Sequence, residues 1–286
     1  MRKLVSTHMF RWQRLGPRQL DLLLAAGLEG VELFCGRASF DYRDRTQTGE
    51  LGAWFSDHAL TLHSLHSPLY ADEKEGRSGE PPIDIADADH RLRLAALDEI
   101  QRALEFAERA PFRYLVQHLG VGQAEWDPRR ADVALTSLER IRLLAKQAGV
   151  AVLLENIPNG LSTPERLLAF LTQNHLGDIG ICFDTGHAHL PAEFHGGGGA
   201  AASWDVLGER VRSTHLHDNG GERDEHLWPG EGTIAWEELA PRLAAAGPEL
   251  PWLLEVREPP AGVDTVAQIR ASFDKLEQWS AAGQPR

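Results

Sequence analysis

The chain has 286 residues, ample for a sizeable core and ordinary for a single α/β barrel. Its 42 acidic and 29 basic residues leave a net charge of −13, a field that repels phosphodiester backbones. The two cysteines, Cys35 and Cys182, lie inside apolar runs and exclude a disulfide framework, and no stretch approaches the roughly 20 apolar residues of a membrane span. A soluble, cytoplasmic protein is expected, with neither nucleic acid nor membrane as partner.

In chain order, the apolar run KLVSTHM is followed by RQLDLLLAAGL, whose apolar spacing is helical. GVELFCG and LTLHSLHSPLY are the next two runs. After them comes DEKEGRSGEPPIDIADAD (72–89), a polar insertion expected to be a solvated acidic loop, with a mobile lid as the alternative. LRLAALDEIQRALEFAERA then reads as a helix ending near Pro111, FRYLVQHLG as a strand, and ADVALTSLERIRLLAKQAG as a helix ending at Gly149. VAVLLENIP and IGICFDTGH follow, then AEFHGGGGAAASW, which lacks periodicity and is expected to be flexible. VRSTHLHDN and PWLLEVRE complete eight apolar runs, and the tail SAAGQPR is expected to fray.

Eight strand-plus-helix units in 286 residues average about 36 residues each, which suits a βα repeat and implies a parallel sheet. We expect a single (β/α)8 TIM barrel over 1–286. A doubly wound open sheet ranks second, because no G-x-G-x-x-G or Walker sequence follows an early strand.

Histidines and carboxylates gather at the C-terminal ends of these runs, the catalytic face of a barrel. His66 ends the third run, His118 the fourth and Glu155 the fifth. Asp184 and His187 end the sixth, His215 the seventh and Glu255 the eighth, and the loop GERDEHLWPGEG adds Asp224 and His226. One histidine at a strand end is more often a hydrogen-bonded structural residue than a ligand. Six successive strands carrying such residues at the same end are not a set of accidents. Several carboxylates buried together need a cation or protons, so a metal site is the economical explanation. The quartet Glu155, Asp184, His215 and Glu255 suits one divalent ion, Mn, Mg, Co or Zn, with additional Zn if the other histidines also bind metal.

The motifs HSPLY, LLEN, CFDTGH, HLHDN and the run Asp224 to Gly232 make the chain resemble the xylose isomerase-like TIM-barrel superfamily, which includes sugar phosphate isomerases, ketose 3-epimerases and endonuclease IV. The resemblance spans nearly the whole chain. Its epimerase branch implies a single ion on Glu155, Asp184, His215 and Glu255, with the two glutamates as acid and base on opposite faces of the substrate. Its endonuclease branch implies three zinc ions held by those four with His66, His118, His187, Asp224 and His226, and all nine positions carry suitable ligands here.

Charge separates the branches. Between Tyr70 and His90 stand seven acids (Asp72, Glu73, Glu75, Glu80, Asp84, Asp87, Asp89) and two bases, Lys74 and Arg77, so a duplex would meet repulsion there. The favoured reading is a metal-dependent sugar or sugar phosphate isomerase or epimerase. It would work by proton abstraction and a metal-stabilised enediolate, with Glu155 and Glu255 as bases. His66, His118, His187, Arg223, Asp224 and His226 would contact the substrate, and Trp12, Phe34, Trp228 and Trp236 are candidate sugar-stacking faces. The alternatives are a zinc-dependent abasic-site nuclease, a lyase acting on 3-keto sugars, and a metal-binding module without catalysis. The sequence leaves the oligomeric state open, a homo-oligomer included.

Overall fold

A computed structural model describes residues 1–122, 125–190 and 199–282. It contains β1 (Arg2–Ser6), β2 (Gly30–Phe34), β3 (Thr61–His66), β4 (Tyr114–His118), β5 (Ala151–Glu155), β6 (Gly180–Asp184), β7 (Val211–His215) and β8 (Pro251–Leu254). The helices that follow them in turn are α1 (Pro17–Ala25), α2 (Arg45–Asp57), α3 (His90–Leu104), α4 (Pro128–Gln147), α5 (Pro164–Gln173), α6 (Gly199–Leu207), α7 (Trp236–Ala245) and α8 (Thr265–Ala282).

All strand pairs are parallel, in the order β7-β6-β5-β4-β3-β2-β1-β8. The two ends of this order meet just past β7. There the Leu216 N–H donates to Leu253 O at 2.8 Å, and the Glu255 N–H donates to Leu216 O at 3.2 Å. The sheet therefore comes nearly full circle, giving the expected (β/α)8 barrel. Its strands are short because each need only span the height of the barrel, and β2, β5, β6 and β8 are largely apolar because helices cover the outer face. Every residue of β2 and of β6 is buried.

Local chemistry sets the helix starts. The side chains of Asp44, Asp89, Asp127 and Thr163 accept from backbone N–H groups in the first turns of α2, α3, α4 and α5. Proline at the first helical position reinforces α1, α4 and α5. Helix α2 escaped the periodicity reading because part of its buried stripe is polar: Gln47 and Thr48 lie inside beside Leu51 and Trp54. The Gln47 amide donates to Leu15 O at 2.8 Å and Ser39 O at 2.7 Å, so its burial leaves no unmet donor.

Three expectations are corrected. The insertion 72–89 is a solvated loop only in part: Glu73, Lys74, 77–82, Ala88 and Asp89 are exposed, but Ile83, Asp84, Ile85 and Ala86 are buried, and Asp84 pairs with Arg130 of α4 at 2.8 Å. Of the stretch AEFHGGGGAAASW, residues 199–204 belong to α6, where Ala200, Ser203 and Trp204 are buried; 192–198 lie outside the described residues. Helix α8 continues to Ala282, so the first residues of the expected frayed tail are helical, and 283–286 lie outside the described residues. Among the described residues, no helix is long and apolar enough to cross a membrane.

Candidate metal centre

Strand ends β3 to β8 deliver their polar residues to one place. Glu155, at the tip of β5, is fully buried and is the hub. Its Oε2 lies 3.2 Å from His118 Nε2 and 3.4 Å from His66 Nε2. Its Oε1 lies 3.1 Å from His187 Nδ1 and 3.5 Å from His215 Nδ1. His215 Nδ1 is also 3.2 Å from Glu255 Oε2 and 3.8 Å from Asp184 Oδ2. Toward the rim, Asp224 Oδ2 stands 3.3 Å from His187 Nε2 and 3.2 Å from His226 Nε2. Five of the nine ligand-type positions, His66, His118, His187, His215 and His226, are histidines beside a carboxylate in these contacts, and the other four, Glu155, Asp184, Asp224 and Glu255, are those carboxylates.

Four overlapping groups bring their donor atoms within 4.8 Å of one another: His66, His118 and Glu155; Glu155, Asp184, His215 and Glu255; Asp184, His187 and His217; and His217, Asp224 and His226. The sequence-derived quartet is thus one compact, fully buried set. Arg223 is different. It is exposed, with no ion pair or side-chain hydrogen bond among the described residues. Trp228 and Trp236 are 0% and 1% exposed and belong to the core, so they offer no stacking face. Phe34 is buried with its ring 5.1 Å from that of His66, and Trp12, 45% exposed, stands at the rim after β1.

Three contributors were missed in the sequence. His217 is buried, with Nε2 3.0 Å from Asp184 Oδ2, and its ring stacks on His226 at 4.1 Å. Space for it comes from Gly186, where an added Cβ would collide with the His217 ring. The second histidine of HLHDN was the signal for it. Glu32, in the middle of β2, is fully buried; it accepts from the Ser64 hydroxyl at 2.8 Å and faces His215 Nε2 at 3.1 Å. A carboxylate flanked by apolar residues in a five-residue buried strand was its signal. His8, just past β1, stacks on His226 at 4.3 Å.

Electrostatics follow from this crowding. Burial opposes charge on His187 and His215, yet the surrounding acids outweigh it. Asp184 and Asp224 hold His187 well above its ordinary pKa, while the Cys182 thiol, Glu255, Glu32 and Glu155 do so for His215. His226 is pushed up to about 9 in the same way, burial being overcome chiefly by Asp224. Conversely, burial would raise Glu155, but His215 and His118 hold it well below the usual carboxylate range. His8 goes down instead, through burial, His226 and Arg11. Arg11 can only donate, so His8 Nε2 accepts from it at 2.9 Å, and the ring is neutral with its proton on Nδ1, facing Val256 O.

The donors present fit a cation. With Glu32 accepting at His215 Nε2, His215 Nδ1 faces Glu155, Glu255 and Asp184, where a cation can replace its proton, and neither Nδ1 nor Glu155 Oε1 has a hydrogen-bond partner. Lone pairs and carboxylates converging in a buried space repel unless something positive lies between them.

The model of xylose isomerase-like TIM barrels matches residues 20–279, and the chain belongs to that family. Among curated relatives, the uncharacterized protein MJ1311 of Methanocaldococcus jannaschii is 31% identical over 176 residues, 58% of this chain and 58% of its own. A probable endonuclease 4 of Natronomonas pharaonis is 23% identical over 206 residues, covering 68% of this chain and 66% of its own. The chain spans less than two thirds of the length of these relatives. A crystal structure of a D-tagatose 3-epimerase-like protein superposes with a TM-score of 0.73 at 23% identity, over 98% of this chain and 97% of that one, a likeness of fold.

Proposed function

We propose that this protein is a divalent-metal-dependent isomerase or epimerase of a small sugar or sugar phosphate, acting by proton transfer. The observation that carries this reading is the placement of Glu155 and Glu255. Two buried carboxylates from β5 and β8 reach the same imidazole nitrogen, His215 Nδ1, at 3.5 and 3.2 Å. Glu155, Asp184, His215 and Glu255 would hold the ion, and when bound it would acidify the C–H next to a substrate carbonyl. Because the two glutamates come from strands on different sides of the barrel, one is placed to remove a proton and the other to return one to the opposite face. The neighbouring imidazoles of His66, His118 and His187 would orient substrate oxygens, directly or through a further ion. With six histidines in the donor groups, the set leans toward zinc, and toward more than one ion.

Phosphodiester cleavage is the second reading. It is favoured by one observation: His66, His118, His187, Asp224 and His226 join the quartet in three-donor groups instead of scattering over the rim. The net charge of −13 weighs against a duplex. Solvent-deuterium incorporation into a ketose or keto sugar, run beside incision of an abasic-site duplex, separates the two. Label entering the carbon next to the carbonyl supports the first reading, and multiple-turnover incision lost in Glu255→Gln supports the second.

A further inference from the structure

At the mouth, on the side of β1 and β2, the insertion 72–89 folds inward and delivers one carboxylate. Glu75 has a left-handed backbone (φ 50°), and its side chain is 6% exposed although its neighbours Glu73 and Lys74 are exposed. It pairs with Nη2 of Arg11, which follows β1. The carboxylate lies against Gly36, where an added Cβ would stand 2.6 Å from Glu75 Oε1. The φ of Gly36 is not left-handed, so its missing side chain serves space and not backbone shape.

The pair is poorly matched. A guanidinium offers Nε and Nη2 as a fork for two oxygens. Here Glu75 uses only Oε2 on Nη2, and both Arg11 Nε and Glu75 Oε1 are buried without a partner. Arg11 Nη1 meanwhile donates to His8, whose ring stacks on His226 of the candidate centre. The guanidinium is therefore tied to the ligand cluster through two rings. Trp12 lies between Arg11 and Arg77, at 5.0 and 4.0 Å from their guanidinium carbons, which brings a second positive charge to the same rim.

We propose that Glu75 holds the place of an anionic group on the substrate: Arg11 forms an oxyanion seat, and a phosphate or carboxylate on the incoming sugar displaces the Glu75 carboxylate. A free tetrahedral oxyanion can satisfy Nε and Nη2 together, which the tethered carboxylate does not. Displacement frees Glu75 and with it the turn 72–76, where Gly76 N–H donates to Asp72 Oδ1 at 2.8 Å. This rests on the sugar reading above and narrows its substrate to an anionic sugar.

Calorimetric titration of the metal-loaded protein with inorganic phosphate, and separately with acetate, tests it without turnover. Glu75→Gln removes the competing charge, and Gly36→Ala expels the carboxylate with both charges retained. Each is expected to tighten binding about tenfold, while Arg11→Gln abolishes the saturable event and Arg11→Lys, which lacks the fork, does not restore it. Hydrogen exchange at 72–76 should rise when the anion binds to wild type. Tighter phosphate than acetate assigns the seat to phosphorylated sugars, and the reverse to sugar acids. Equal affinity in wild type, Glu75→Gln and Arg11→Gln would place the anion at the metal centre and overturn the proposal. Loss of deuterium exchange bears only on the sugar reading, so the two failures are distinguishable.

Discussion

Glu32 Oε1 lies 3.1 Å from His215 Nε2, both side chains fully buried, and this contact turns His215 Nδ1 toward Glu155 and Glu255. A carboxylate behind an imidazole fixes its tautomer and raises its basicity toward a cation. Glu32→Leu should therefore weaken divalent-ion affinity about 10- to 100-fold, while Glu32→Gln, which keeps one acceptor, retains most of it. Competition with a chromophoric chelator measures both. Equal affinity in Glu32→Leu and wild type would leave Glu32 without this role.

Glu155→Gln and Glu255→Gln keep the shape and one ligand oxygen but remove the base. Turnover should fall about 10²- to 10⁴-fold, far more than metal occupancy. Parallel measurement of metal content and of deuterium uptake checks this. Occupancy falling in step with activity would assign the glutamates to metal retention alone.

Metal content per chain after purification without chelator should exceed one equivalent, because the donors form a chain of three- and four-residue groups that share Glu155, Asp184 and His217. His66→Ala with His118→Ala should remove one equivalent and leave that of the quartet. A single equivalent in wild type, unchanged in the double variant, would make His66 and His118 substrate contacts instead.

Duplex DNA should be neither bound nor incised at physiological salt, given the net charge of −13. The insertion is less repulsive than its composition implies, since Glu75 and Asp84 are paired with Arg11 and Arg130. Mobility-shift and abasic-site cleavage assays with zinc and with manganese provide the check. Stoichiometric binding with multiple-turnover incision would carry the nuclease reading.

In metal-free protein the histidine cluster sets a pH dependence. His187 and His215 lie well above the ordinary value of 6.5 and His226 at about 9, so the folded state holds protons that the unfolded chain releases. That stabilisation is complete below about pH 6.5 and is lost as pH rises through 9. Glu155 and Asp224, held low by the same partners, lose theirs as pH falls below the usual carboxylate range. The melting temperature of chelated protein should thus decline from pH 6.5 toward 9, and metal binding at pH 7 should release protons, read by calorimetry in buffers of different ionisation enthalpy. A flat profile across that range would contradict the pairing described.

Much of the site was legible because histidines and carboxylates recur at the last position of successive largely apolar runs, even though β3, β4 and β7 carry other polar residues before it. His66, His118, Glu155, Asp184 and His215 are the terminal residues of β3 to β7, and Glu255 follows β8 directly. Proximity in three dimensions then needed only the barrel, whose parallel strands bring all those ends to one rim.

What the amino-acid order determined by itself was therefore the set of strands, their common direction and the face on which the ligands lie, since each follows from local hydrophobic patterning and chain alternation. Only the tertiary structure decided which nitrogen meets which carboxylate, that Glu32, His8 and His217 support the cluster, that Trp228 and Trp236 are core, and that Glu75 turns inward to Arg11. Those outcomes depend on side-chain direction and packing between residues as far apart as Glu32 and His215, 183 positions along the chain. No local period records such contacts, because they exist only once the barrel has closed.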